Sequence, residues 1–141
     1  RLMMTTFYGL QFFYDDEVEY PTGQELLSEG HTQNRIYVLR RGSVDVYKGL
    51  HKVAHIDKRG DLFGEISALL GTKCTTTVKT HEPSTFYTIE NADEFLADNA
   101  ATALYVSKML AARLTSTTNS HALLQIKNRE LESAPDPKRP M

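Results

Sequence analysis

The sequence predicts a mainly β fold that gives way to helices towards its C-terminal end. All eight glycines lie at or before Gly71, whereas nine of the eleven alanines lie at or after Ala92. Glycine supplies the positive-φ turns that short strands need, and alanine is the best helix former. The 141 residues, 40% of them hydrophobic and 24% charged, suit one globular domain with a real core.

Composition and charge exclude several classes of protein. A formal net charge of −2 argues against bulk nucleic-acid binding. No apolar run approaches the roughly 18 residues of a transmembrane helix, and the first residues do not have the pattern of a signal peptide. The single cysteine, Cys74, cannot form an internal disulfide, which fits a reducing compartment. We therefore expect a cytoplasmic protein that does not contact membranes.

The first half contains short segments rich in β-branched and aromatic residues, punctuated by glycines. The predicted strands are residues 18–20, 35–39, 43–47, 52–56, 75–79 and 85–89. Apart from the stretch 63–70, no helix-length segment separates them, which favours a compact β-sandwich or barrel over a parallel α/β sheet. We expect residues 1–16 to be a lead-in and residues 17–90 to form the β domain.

Helices are expected over residues 91–132. Asn91 suits the N-cap position, and Glu94 suits the partner position of a capping box. One stripe recurs every seven residues: Ala103, Leu110, Thr117, Leu124 and Leu131. Such a stripe is typical of a helix that faces another surface, so we expect a hinge or a homodimer interface here. Residues 133–141 contain three prolines and are expected to be a disordered tail.

The segment from Gly60 to Gly71 is the one that indicates chemistry, because it is a short helical turn bracketed by glycines within a β-rich half. The first amides of a helix have no internal partner and sit at the positive end of the helix dipole, which suits a phosphate. Gly64 allows close approach of an anion, and Glu65 offers a carboxylate to a sugar hydroxyl. The pattern indicates a nucleotide site; the alternative is an ordinary turn with a surface glutamate.

A family resemblance extends this interpretation. Residues 63–72, followed by 75–78, resemble the phosphate-binding cassette of cyclic-nucleotide-binding domains. Four further segments resemble the glycine-punctuated roll of that family in order and spacing: 20–24, 29–30, 37–47 and 60–61. Residues 108–114 resemble the start of the long helix in bacterial catabolite activator proteins. The resemblance implies an antiparallel, jelly-roll-like β-roll with a short cassette helix and C-terminal helices.

The resemblance also implies a ligand site. Its residues are Phe63, Gly64, Glu65, Ile66, Ser67, Lys73, Cys74, Thr75, Thr76, Thr117 and Thr118. Cassette residues would hold the phosphate and ribose, and Thr117 and Thr118 match two hydroxyl residues that contact the adenine ring. Thr75 matches a hydroxyl that in some members favours guanine, so the choice between cAMP and cGMP stays open. The alternative for the polar run 115–120 is a helix break that forms a linker.

Cys74 departs from the family pattern, because binding-competent members have an arginine there that pairs with the cyclic phosphate. Loss of a guanidinium–phosphate pair costs about 2–3 kcal/mol, which is roughly 30- to 100-fold in affinity. Lys73 offers a point charge instead, although neighbouring strand residues point to opposite faces; the alternative is a solvated lysine. Two hypotheses follow: a regulatory module that senses a cyclic nucleotide or related anion and signals through its C-terminal helix, or a degenerate roll that serves as a dimerisation domain.

No catalytic or metal site is predicted, so we expect neither an enzyme nor a cofactor beyond the nucleotide ligand. The five histidines, at positions 31, 51, 55, 81 and 121, do not have the spacing of zinc ligands on a helix. No arrangement of nucleophile, histidine and acid has supporting context. A Pro-rich tail follows the long helix in place of a recognition helix, so we expect no DNA contact from this chain.

Overall fold

The computed structural model describes residues 2–115. Its elements in chain order are β1 (Met3–Phe7), β2 (Leu10–Tyr14), β3 (Asp16–Tyr20), β4 (Glu25–Leu27), β5 (Ile36–Arg41), β6 (Val44–Lys48), β7 (His51–Ile56), β8 (Leu62–Phe63), α1 (Glu65–Leu70), β9 (Thr77–Thr80), β10 (Ser84–Ile89) and α2 (Ala92–Asp98). Residues 100–115 are also helical and are called α3.

Two four-stranded antiparallel sheets form a β-roll. One has the strand order β3-β10-β5-β8 and the other β4-β9-β6-β7. Alternate side chains of each sheet point to a shared interior. The buried side chains of this interior are Leu27, Tyr37, Leu39, Val44, Phe63, Cys74, Val78 and Phe86. The predicted class, mainly β and antiparallel with a short cassette helix, is confirmed.

All six predicted strands are present, with ends that differ by one or two residues. The prediction overlooked β4 and the two-residue β8. It also overlooked the structure within the expected lead-in, where β1 and β2 form a hairpin that pairs Phe7 with Leu10. Its two turn residues, Tyr8 and Gly9, both have positive φ, at 53° and 75°. This is the turn type that matches the twist of the flanking strands.

Asn91 is the N-cap of α2, as the sequence predicts, but its side chain does not form the predicted capping box. Asn91 has φ 44° and its side chain makes no capping hydrogen bond. Its Oδ1 instead accepts a hydrogen bond from Asn34 Nδ2 at 2.9 Å. Asparagine suits this junction because it tolerates the left-handed backbone conformation better than most residues. No helix within the described residues is long and apolar enough to cross a membrane.

The chain divides into two compact units, Arg1–Val106 and Ser107–Met141. The roll, α2 and the first residues of α3 belong to the first unit. Several predictions fall outside the described residues: Thr117 and Thr118 as base contacts, Leu124 and Leu131 in the helical stripe, and the tail 133–141.

Candidate functional site

The cassette turn, residues 63–71, connects the roll to a single short helix. Strand β8 ends at Phe63, Gly64 follows with φ 89°, and α1 runs from Glu65 to Leu70. Gly71 ends the helix with φ 70° and donates its N–H to Ser67 O at 2.9 Å. The glycines at both ends therefore set the length of the helix at six residues.

Gly64 is required at its position for two independent reasons. Its positive φ is strained for any residue with a side chain. A Cβ there would lie 2.8 Å from Arg35 O and 3.1 Å from Gln33 Nε2. The segment around Gln33 thus packs directly on the backbone of the cassette turn.

Gln33 and Ser67 hold the cassette turn against this segment. Gln33 Nε2 donates to Gly64 O at 2.8 Å, and the Gln33 N–H donates to Ser67 Oγ at 3.1 Å. The Ser67 hydroxyl in turn donates to Gln33 O at 3.2 Å. The sequence did not indicate Gln33, because it lies 31 residues before Gly64 in a loop with no motif of its own.

The remaining cassette residues divide into buried and exposed positions. Glu65 is only 3% exposed, whereas Ile66 is 56% exposed. Phe63 is buried and stacks on Tyr37 with ring centroids 5.2 Å apart. The carboxylate that was predicted to face ribose therefore lies out of bulk water, immediately beside Gly64, where a hydrogen bond is strengthened by the low local dielectric.

The segment after the cassette turn places Cys74 inwards and its neighbours outwards. The Cys74 N–H donates to His31 O, and Cys74 O accepts from the Gly30 N–H, both at 2.8 Å. With its backbone fixed by this pair, the Cys74 side chain is buried in the interior of the roll, while Lys73 and Thr75 are exposed and Thr76 is half-buried.

Lys48 and Glu29 border the same segment. Lys48 Nζ donates to Thr75 O at 2.9 Å and lies 3.2 Å from Glu29 Oε2. The hydrogen bond from the Gly49 N–H, followed by that from Lys48, lowers the pKa of Glu29 below its ordinary value. These contacts tie the β6–β7 hairpin to the segment between α1 and β9.

Comparison with known proteins assigns the family. Residues 17–97, more than half of the chain, match the family model of the cyclic nucleotide-binding domain. The chain belongs to the cyclic nucleotide-binding domain family. Domains of this family are regulatory modules, and this agrees with the expectation of a regulatory module. No protein with a curated function matches the sequence significantly.

Solved structures with cyclic nucleotide-binding folds share this architecture. The catabolite activator protein of Thermus thermophilus gives a TM-score of 0.63 at 21% identity over 78% of this chain and 55% of that chain. A cyclic nucleotide-binding domain from Methylobacillus flagellatus KT gives a TM-score of 0.62 at 21% identity, over 74% of this chain and 62% of that chain. The cAMP-bound PfPKA-R fragment 141–441 gives a TM-score of 0.60 at 17% identity, over 78% of this chain and 37% of that chain. The chain thus spans 55% and 62% of the first two, and the likeness shows the fold.

Arg35 lies beside the cassette of this cyclic nucleotide-binding domain, but its guanidinium is engaged elsewhere. Arg35 Nε lies 2.7 Å from Glu90 Oε1, and its NH1 donates to Tyr37 OH at 3.2 Å. Burial lowers the pKa of Arg35, yet the hydrogen bonds with Glu90 and Tyr37 outweigh it and raise the pKa above its ordinary value. Arg35 therefore joins the start of β5 to the end of β10 and does not take the place of an arginine at position 74.

Proposed function

We propose that this domain binds a purine 3′,5′-cyclic nucleotide inside the β-roll and that binding shifts the position of its C-terminal helix. The observation that carries the proposal is the cassette turn itself, in a chain of this family: Gly64 with positive φ, followed by the buried carboxylate of Glu65. Backbone N–H groups at this turn suit the cyclic phosphate, and Glu65 accepts a hydrogen bond from the ribose hydroxyl. Ile66, Ser67, Thr75 and Thr76 complete the proposed contacts.

Cys74 sets the affinity in this proposal. Its side chain is inside the roll, where an arginine would reach a bound phosphate, but a thiol supplies neither the charge nor the paired donors of a guanidinium. We therefore expect weak binding. Exposed Lys73 is the neighbouring cation, and a point charge on a flexible stem recovers only part of the loss.

A second candidate function is a degenerate roll that serves as a dimerisation domain. The burial of Cys74 among apolar side chains and the use of the Ser67 hydroxyl by Gln33 both favour it. In this case the working surface is the helical stripe that contains Leu110. Sedimentation of Leu110→Asp beside the wild type tests the dimerisation hypothesis: the wild type is expected to be a dimer and the variant a monomer. If the wild type and the variant are both monomers, the hypothesis is contradicted.

Calorimetric titration with cAMP and cGMP tests the first proposal. We expect wild-type binding that Cys74→Arg strengthens about 30- to 100-fold, with Cys74→Met as a control that lengthens the side chain without adding charge. If only Cys74→Arg binds at millimolar ligand, the roll is degenerate. If neither binds, nucleotide binding is excluded.

The role of Glu65 has its own test. Glu65→Gln is expected to weaken the binding of cAMP about tenfold, because a carboxylate is the stronger acceptor for a ribose hydroxyl. The same substitution leaves the binding of 2′-deoxy-cAMP unchanged, because that ligand lacks the hydroxyl. Equal losses for the two ligands would mean that Glu65 does not contact the ribose.

A further inference from the structure

A cluster of one carboxylate and two imidazoles lies on the outer face of the second sheet, in the first unit of the chain. Asp45 Oδ1 is 2.7 Å from His55 Nδ1, and Asp45 Oδ2 is 2.8 Å from His81 Nδ1. The two imidazole rings meet edge to face with centroids 5.0 Å apart. We call Asp45, His55 and His81 the Asp45 cluster.

Strand order explains why residues so far apart in sequence meet here. The strand β6 lies between β9 and β7, and Asp45 is directly opposite His55. On the other side Val44 is opposite Thr80, so His81 follows beside Ser43, to whose carbonyl it donates its backbone N–H at 2.9 Å. Since Val44 points into the core, the alternation of a strand turns Asp45 to the outer face.

The Asp45 cluster combines a shielded carboxylate with accessible imidazoles. Asp45 is 7% exposed, although it lies on the outer face, because the rings cover it. The side chains of His55 and His81 are 37% and 51% exposed. An ion therefore reaches the ligand atoms from solvent without opening the core of the roll.

We propose that the Asp45 cluster binds a divalent transition-metal ion of the zinc class through a carboxylate oxygen of Asp45 and the Nδ1 atoms of His55 and His81. This site is independent of the nucleotide site. It would join β6, β7 and the residue after β9 through one ion, and it would stabilise that side of the roll because a metal that binds only the folded chain favours folding.

The geometry of the ligand atoms fits such an ion. The ligand atoms all lie within 4.8 Å of one another. Ligands about 2 Å from a tetrahedral zinc ion are roughly 3.3 Å apart, so modest rotations of the exposed rings bring these atoms to coordination distance. Two imidazoles favour zinc, nickel or copper over magnesium and calcium, which prefer oxygen ligands. Three protein ligands leave one position for water.

Lys52 is the cation that a metal would displace. Its Nζ lies 2.9 Å from Asp45 Oδ1, so it neutralises the carboxylate that the ion needs. Lys79 is opposite Asp45 in the strand register, but its ammonium lies over the Tyr47 ring, 5.8 Å from the centroid. Removal of the Lys52 charge is therefore expected to strengthen metal binding.

Titration of the untagged full chain with Zn²⁺ and with Mg²⁺, followed by calorimetry, tests the proposal. We expect one Zn²⁺ per chain and far weaker Mg²⁺ binding. Zinc at about a hundredfold excess over its Kd is expected to raise the melting temperature by roughly 5–10 °C. Long-range ¹H–¹⁵N spectra of the histidines should show that Nδ1 is the metal-bound nitrogen of His55 and His81.

Matched variants separate this site from adventitious zinc. His55→Gln and His81→Gln each replace a partly exposed ring and are expected to weaken zinc binding at least about tenfold, the loss that even an outer-shell partner causes. His51→Gln is the control, because His51 lies on the same strand about 13 Å away and is expected to leave the affinity unchanged. Lys52→Gln is expected to raise the affinity severalfold.

Two results would overturn the proposal. One is zinc binding that stays the same in the His55→Gln, His81→Gln double variant. The other is a wild-type chain that binds Zn²⁺ no better than Mg²⁺.

Discussion

Gly64 and Gly71 cap the two ends of α1, but the space around their Cα atoms differs. Both have positive φ, at 89° and 70°. A Cβ at Gly64 would lie 2.8 Å from Arg35 O, whereas a Cβ at Gly71 would have nothing within 4 Å. The pair therefore separates the cost of backbone strain from the cost of close packing at a single residue.

Gly64→Ala is expected to destabilise the fold by about 2–4 kcal/mol, because it adds a backbone clash to the strain of a positive φ. Gly71→Ala, the matched control, is expected to cost only about 1 kcal/mol. Urea unfolding followed by circular dichroism measures both. Equal losses would show that the segment around Gln33 moves aside at no cost.

At the scale of elements, the N-terminal hairpin and the first turns of α3 support each other. Thr102 Oγ1 accepts a hydrogen bond from the Phe13 N–H at 2.8 Å and donates to Phe13 O at 3.3 Å. The rings of Phe12 and Tyr105 pack with centroids 4.5 Å apart. Strand β2 pairs with β1 on one side, and Thr102 satisfies part of its other edge. A sheet edge covered in this way is protected against pairing with other chains.

Thr102→Val is expected to destabilise the fold by about 1–3 kcal/mol, because it keeps the shape of a fully buried side chain but leaves the Phe13 N–H without this acceptor. Thr6→Val serves as the control, since Thr6 is exposed on β1 and the substitution suits a strand. The control is expected to change stability by less than about 0.5 kcal/mol. Thermal and urea unfolding of the two variants measure the difference; similar values would show that the Thr102 contact contributes nothing.

At the scale of the whole molecule, the sequence was sufficient for the elements that local patterns determine. Glycine spacing and runs of β-branched residues predicted six strands, and the cassette motif predicted α1. The hairpin has a sequence signal too, since Tyr8-Gly9 lies between two apolar runs, and the expectation of a lead-in over residues 1–16 is wrong in this respect. Asn91 occupies the predicted N-cap position of α2, but with positive φ and without a capping hydrogen bond from its side chain. Asparagine suits both a capping side chain and a left-handed backbone, so the residue type alone does not predict which of the two occurs.

Contacts between distant segments were beyond the sequence. His81 is 36 residues from Asp45, and only the order β9-β6-β7 makes them neighbours. Gln33 likewise reaches the cassette only because the loop before β5 lies against it. Spacing rules find metal or ligand residues that share one helix or one loop, so sites assembled from several strands of a roll are predicted only when the strand order is known.

Alkaline stability is a property of the whole aromatic core. Burial, followed by the charges of Tyr8 and Asp61, raises the pKa of Tyr105 well above its ordinary value, and burial also raises the pKa values of Tyr14 and Tyr37. In the unfolded chain these phenols lose their protons near pH 10. Above that pH the unfolded chain binds fewer protons than the folded chain, so stability is fully present below pH 10 and is lost as the pH rises.

Each such phenol contributes a slope of about 1.4 kcal/mol per pH unit between its unfolded and folded pKa values. Tyr105→Phe is expected to lower stability at pH 8, because the hydroxyl no longer donates to Gly60 O, and also to flatten the loss of stability between pH 10 and 11.5. Urea unfolding of the wild type and the variant at several pH values measures both effects. The slope distinguishes a titrating phenol from a lost hydrogen bond, since loss of the bond alone would lower the variant's stability curve by a constant amount and leave it parallel to the wild-type curve.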